Sequence, residues 1–169
     1  MHVFFLGGPR KTGKSTLLRR LQEELQFTEK AYFIEANPDA EGYWTKAWYS
    51  RYGVDAKTSA QLVKKRVEYS SAVGFALQSI RNLLRNGYTV ICALGGLPSE
   101  ENRRLISEFT DECTVILLIP STMEGDIGEA FEGWRSMLSS LGVRFVEMDA
   151  ERAYTFIKNK VKEGCSLSL

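Results

Sequence analysis

Apolar residues along this chain fall into short unbroken runs, separated by stretches where they recur every three or four positions. The first run, residues 2–6 (His-Val-Phe-Phe-Leu), predicts a strand buried on both faces. After a Gly-Gly-Pro turn, Leu17, Leu18, Leu21 and Leu25 mark one face of a helix from Lys14 to about Gln26. Residues 31–36 (Ala-Tyr-Phe-Ile-Glu-Ala) predict a second strand, stopped by Asn37-Pro38. Val63, Val67, Val73, Leu77, Ile80 and Leu84 then carry a long helical pattern from Thr58 to about Asn86, with Gly74 as a point of kinking or division and Asn86-Gly87 as its close. Tyr88–Leu94 predicts a third strand, ending in Gly95-Gly96, and Ser99-Glu-Glu-Asn102 reads as a capped start to a helix reaching about Phe109. Thr114–Ile119 is the fourth strand. Phe131, Trp134, Leu138 and Leu141 line a helix ended by Gly142, Val143–Met148 is the fifth strand, and Ala153, Phe156, Ile157 and Val161 define the last helix.

Strand and helix thus alternate five times. Strict alternation predicts an α/β fold in three layers, with a five-stranded parallel sheet between helices on both faces and right-handed crossovers. No repeat or second unit interrupts the pattern, so residues 1–169 are expected to form one domain. Residues 37–57 are the exception: polar, aromatic and without clear period, they are long for a connection, which points to function.

Composition narrows the partners. With 22 basic and 21 acidic residues, the net charge of +1 gives no ground for bulk electrostatic attachment to nucleic acid. No apolar run nears the roughly 20 residues that span a bilayer, and the amino-terminal run lacks signal-peptide anatomy, so a cytoplasmic location is expected. Oligomerisation is left open. Cys92 and Cys113 lie in apolar runs and read as buried thiols, Cys165 stands apart, and with His2 the single histidine no zinc-type site is expected.

The chemistry is concentrated at Gly8-Pro-Arg-Lys-Thr-Gly13-Lys14-Ser15, which fits G-x-x-x-x-G-K-[ST] at every fixed position between a strand and a helix. Glycines let the backbone curl so that successive N–H groups point at phosphate oxygens, and the helix start adds unpaired donors and a positive dipole end. The expected nucleotide-binding residues are Gly8, Arg10, Lys11, Thr12, Gly13, Lys14, Ser15 and Thr16. Lys14 would reach the β- and γ-phosphates of ATP and the Ser15 hydroxyl would ligate Mg²⁺. Lys14 is expected to be an exposed loop residue that contributes little to packing.

A carboxylate that completes the Mg²⁺ shell commonly stands at the end of a strand beside the first. Val90–Gly96 is the obvious place and holds none. The candidates that remain are Glu35 at the end of the second strand, and Asp39 and Glu41 just beyond; Glu35 is assigned to metal and catalysis, Asp39 to catalysis. Gly42–Tyr52 places five aromatics among eleven residues, suited to stacking on a base or closing over a second ligand, and Arg66 is a candidate for a second phosphate.

The loop and the alternation resemble the P-loop NTPase superfamily. A finer resemblance rests on Glu35-Ala-Asn-Pro-Asp-Ala-Glu-Gly-Tyr-Trp44, Arg66-Val-Glu-Tyr69, Gly95-Gly-Leu-Pro-Ser-Glu-Glu-Asn102, and Trp134 ahead of Leu141-Gly142. From about residue 3 to 149 these are similar to the P-loop domain, often labelled AAA-like, that is fused to CRISPR-associated ring nucleases of type III systems. That resemblance implies a nucleotide-binding partner module in antiviral signalling by cyclic oligoadenylate. Two departures accompany it: the nuclease domain is not in this sequence, and Ala93 stands where an Asp is expected. The sequence therefore yields a first expectation of an Mg-ATP-binding ATPase or sensing module with slow hydrolysis. The alternative is a small-molecule kinase that passes the γ-phosphoryl group to a nucleoside, nucleotide or sugar. A hexameric AAA+ motor lacks its Asp-Glu strand pair here, and a GTPase its Asn-Lys-x-Asp stretch.

Overall fold

A computed structural model of the chain describes residues 2–36 and 72–164. Its elements run β1 (Val3–Gly7), α1 (Lys14–Leu25), β2 (Ala31–Ala36), α2 (Ala72–Arg85), β3 (Thr89–Leu94), α3 (Glu100–Ser107), β4 (Cys113–Leu118), α4 (Gly125–Leu141), β5 (Phe145–Met148) and α5 (Ala150–Lys162). The five strands form one sheet in the order β2-β3-β1-β4-β5, all pairings parallel. The predicted three-layer α/β fold with helices on both faces is the observed one. Helix α2 runs unbroken through Gly74; the expected stretch from 58 to 71 lies outside the described residues.

Alternation along the strands divides the core in two. Val3 and Phe5 of β1, with Tyr32, Ile34, Val90 and Cys92, pack under α2, α3 and α4, where Trp134, Phe131 and Phe109 are fully or almost fully buried. Phe4 and Leu6, with Phe33, Ile91 and Ala93, pack under the leucines of α1 and under Ala153, Ile157 and Val161 of α5. Every residue of β1 is buried and its backbone is paired on both sides, by β3 and by β4. The unbroken apolar run at residues 2–6 has its cause there: a central parallel strand faces no water on either side.

The helix ends differ in a way that bears on function. Ser99 caps α3 by accepting from the Asn102 N–H, as its sequence motif predicts, and Asp149 caps α5 by accepting from Arg152 N–H at 2.8 Å. Helix α1 opens instead at Gly13, in the left-handed region, with no side-chain cap and no acidic residue in its first turn. Uncapped first-turn N–H groups are of the kind that an anion can meet.

At the other end of the central strand β1 from the Gly8–Ser15 loop His2 is buried, its Nε2 paired with the Thr114 hydroxyl at 2.9 Å and its Nδ1 without a hydrogen-bond partner. Burial, with Arg144 and the amino-terminal charge adding to it, lowers its pKa from 6.5 to about 4. The unfolded chain thus binds a proton near pH 6 that the folded chain refuses. Stability is complete above about pH 6.5 and is lost as the pH falls toward 4, by roughly 2–3 kcal/mol. Urea midpoints between pH 7 and 4 should fall less steeply in His2→Gln; equal slopes in the two chains would assign the acid sensitivity to other groups.

Candidate nucleotide site

The chain leaves β1 at Gly7 and must turn within a narrow space. Gly8 adopts φ +128°, and a Cβ there would lie 2.9 Å from the Leu118 carbonyl oxygen at the end of β4. Only glycine fits such a backbone approach with that dihedral. Lys11 (φ +64°) and Gly13 (φ +87°) complete a series of left-handed turns, and the Thr12 hydroxyl closes the loop by donating to the Pro9 carbonyl at 2.8 Å.

Lys14 lies inside this loop. Its ammonium donates to the carbonyls of Gly8 and Pro9 at 2.6 and 2.7 Å, and to Thr12 Oγ1 at 3.4 Å. The residue is only 8% exposed, which corrects the expectation of an exposed lysine with no part in packing. The cause is the loop's curl, which turns two carbonyls toward the first helical turn. Burial lowers the Lys14 pKa from 10.5 to about 8, and the Glu35 charge acts against that shift.

The Ser15 hydroxyl donates to Glu35 Oε1. Glu35 stands at the end of β2, buried, and its register partner across the sheet is Ala93 of β3. Glu35 thus lies beside Ala93, at the level where the sequence leaves β3 without a carboxylate. Glu35 shares its face with Ala31 and Phe33, the face that α1 covers. Ala93 on that same face is small enough to leave the path between Glu35 and Ser15 open.

Arg10 and Lys11 are exposed on the rim, and Thr16 is exposed in the first turn of α1. Arg10 pairs with Asp126 at the start of α4 at 3.3 Å. Beside the loop lies a cavity of about 400 Å³, bounded by Pro9 and Arg10, by Gly96 and Leu97 after β3, and by Asp126 and Ile127 of α4. Asp39, Glu41, the aromatic residues of 42–52 and Arg66 lie outside the described residues.

The sequence matches no protein-family model and no curated protein. Among solved structures, a shikimate kinase from Aquifex aeolicus aligns over 99% of each chain at 18% identity, with a TM-score of 0.50. The YorR protein of Bacillus subtilis, in complex with phosphorylated GDP, aligns over 95% of this chain and 94% of its own at 12% identity and a TM-score of 0.48. A gluconokinase from Sinorhizobium meliloti covers 97% of this chain and 91% of its own at 16% identity and a TM-score of 0.44. At such identities the likeness is one of fold.

The chain has the P-loop NTPase fold. Within that fold, two features escaped sequence reasoning. Asp126 faces Arg10 across 116 residues, and no motif around Gly125-Asp126 signals it. Trp134, visible in sequence as a helix-face residue, donates its Nε1–H to the Gly96 carbonyl at 3.2 Å, and its ring lies 3.2 Å from where a Gly7 Cβ would be. One buried indole thus fixes both the start of the P-loop and the turn after β3. No helix among the described residues is long and apolar enough to cross a membrane.

The tightness of the loop is testable without a ligand. Gly8→Ala meets both a positive φ and the Leu118 carbonyl, and should cost about 2–3 kcal/mol. Gly13→Ala meets the positive φ alone, its nearest neighbour being Ala150 Cβ at 3.9 Å, and should cost about 1 kcal/mol. Chemical denaturation of the two variants checks the order; equal losses would mean that β4 does not confine the loop.

Proposed function

We propose that this protein is a small-molecule kinase, which binds ATP at the P-loop and passes its γ-phosphoryl group to an acceptor hydroxyl. The observation that carries the reading is the cavity against Pro9 and Arg10. A hydrolase needs room only for water beside the phosphates, whereas a transferase needs a concave space for a second molecule. The shikimate kinase that shares this fold over the length of both chains, by its name a kinase of a small molecule, supports the reading. The first expectation from sequence, an ATPase or sensing module akin to the CRISPR-associated domain, gives way to the alternative, because the solved structure that shares the fold over the length of both chains is by name a small-molecule kinase.

In this reading the backbone N–H groups of residue 8 and of residues 10–13, with the uncapped start of α1, hold the phosphates, Lys11, Thr12 and Thr16 stand around them, and Arg10 faces the cavity with Asp126. Lys14 exchanges the carbonyls of Gly8 and Pro9 for phosphate oxygens. Mg²⁺ fits the donor set that Ser15 and Glu35 provide, a hydroxyl and a carboxylate, both hard oxygen ligands. When bound it would neutralise charge on the transferred group. Glu35 holds or orients groups at the Ser15 end of the loop, and Asp39 keeps the catalytic assignment it has from sequence.

The test is incubation with Mg²⁺ and γ-labelled ATP against nucleosides, nucleotides, sugars and hydroxy acids. Label should pass to one acceptor class. Glu35→Gln should lower the transfer rate about 10–100-fold while ATP binding survives. Lys14→Ala should lose the thermal stabilisation by ATP, about 2.7 kcal/mol at a hundredfold excess over Kd. Labelled inorganic phosphate as the sole product across the whole panel would favour an ATPase.

A further inference from the structure

We infer that the cavity beside the P-loop takes an uncharged, hydroxyl-bearing acceptor with one apolar face, of nucleoside size, in preference to a phosphorylated or carboxylated one. The inference rests on the kinase reading and specifies the acceptor class of the same site. Its grounds are the composition, charge and packing of the cavity walls.

One wall is apolar. Leu97 is 69% exposed although it follows a buried strand, and Ile127 and Ala130 of α4 continue its surface along the cavity. Exposed apolar side chains that converge on a concave site favour a ligand with an apolar face.

The polar part of the wall is electrically balanced. Arg10 and Asp126 face each other at 3.3 Å and are both largely exposed, so the pair itself is weak and open to a competing hydrogen-bond partner. A hydroxyl satisfies both, accepting from the guanidinium and donating to the carboxylate. An anionic acceptor gains Arg10 but is set against Asp126, and a cation meets the reverse. The neutral molecule alone meets no like charge.

The frame is tight. Gly96 approaches the loop so closely that a Cβ there would stand 2.8 Å from Arg10 N, and its carbonyl is held by Trp134. Gly128 and Gly133 pack α4 onto the Met123 carbonyl and Pro98 with no room for a side chain. The backbone behind these walls is thus closely packed at Gly96, Gly128 and Gly133. A volume of about 400 Å³ lies toward the lower end of small-molecule pockets, about 300–1,000 Å³.

The experiment measures binding and transfer separately. Adenosine, thymidine, their monophosphates and gluconate serve as probes, first without ATP by saturation-transfer NMR, then with Mg-ATP by mass spectrometry of the product. The nucleosides should bind and the anionic probes should bind at least tenfold more weakly. Leu97→Asp and Ile127→Asp should raise the acceptor Kd and KM at least tenfold, while the melting shift with ATP alone persists. Asp126→Asn should narrow the preference for uncharged over anionic probes at least fivefold. Nucleoside binding that responds to these substitutions without phosphoryl transfer would uphold the site and overturn the kinase reading. Transfer that ignores all three substitutions would uphold the kinase and overturn this inference, as would preferential binding of the monophosphates or of gluconate, or binding of no probe.

Discussion

Everything at the site depends on the complete burial of β1. With β3 and β4 paired to its two edges and helices over its two faces, the strand has no freedom of position, and the chain that leaves it at Gly7 emerges at a fixed point and direction. The loop must then fit between the end of β4 and the start of α1. Gly8 against the Leu118 carbonyl and Gly7 against the Trp134 ring are the two contacts that confine it. A loop so confined presents its N–H groups in one arrangement, and ligand binding need not order it first.

The carboxylate of the site shows how a parallel sheet permits substitution between strands. Adjacent strands end at the same edge, and residues in register on one face lie side by side. A carboxylate on β2 can therefore serve a point that a carboxylate on β3 would serve, provided that the β3 residue is small. Glu35 and Ala93 meet both conditions, and the Ser15 hydroxyl records the result by donating to Glu35. An acid at both positions would set two carboxylates side by side in a buried place, where like charges oppose ionisation of both.

The strands and helices were legible because a sheet buried on both faces leaves continuous apolar runs, and the leucines of α1 leave a clean helical stripe. The loop was legible because its backbone requires glycine at fixed spacings. The strand order was not, since nothing local tells β1 to lie between β3 and β4. For the same reason Glu35 could be nominated as one acid among three, but its place opposite Ala93 follows only from register between the two strands. Asp126 left no trace at all: its role depends on Arg10, which reaches it through the fold. Lys14 was misjudged because long cationic side chains are exposed as a rule, and only the curl of the loop supplies the carbonyls that hold it inside.

Those carbonyls give Lys14 a second consequence. Its ammonium lies within the curl of the loop, where it satisfies the Gly8 and Pro9 carbonyl oxygens. Binding must break these bonds, so the net gain from a phosphate contact is the difference between two charge-assisted sets of hydrogen bonds. The exchange is favourable because phosphate carries a full negative charge where the carbonyls carry only dipoles. Burial lowers the Lys14 pKa and the Glu35 charge opposes that shift, so a phosphate beside the ammonium would act in the same direction as Glu35. On the kinase reading a polyanion would compete with the Gly8 and Pro9 carbonyls for Lys14, whereas a neutral ligand would have no charge with which to do so.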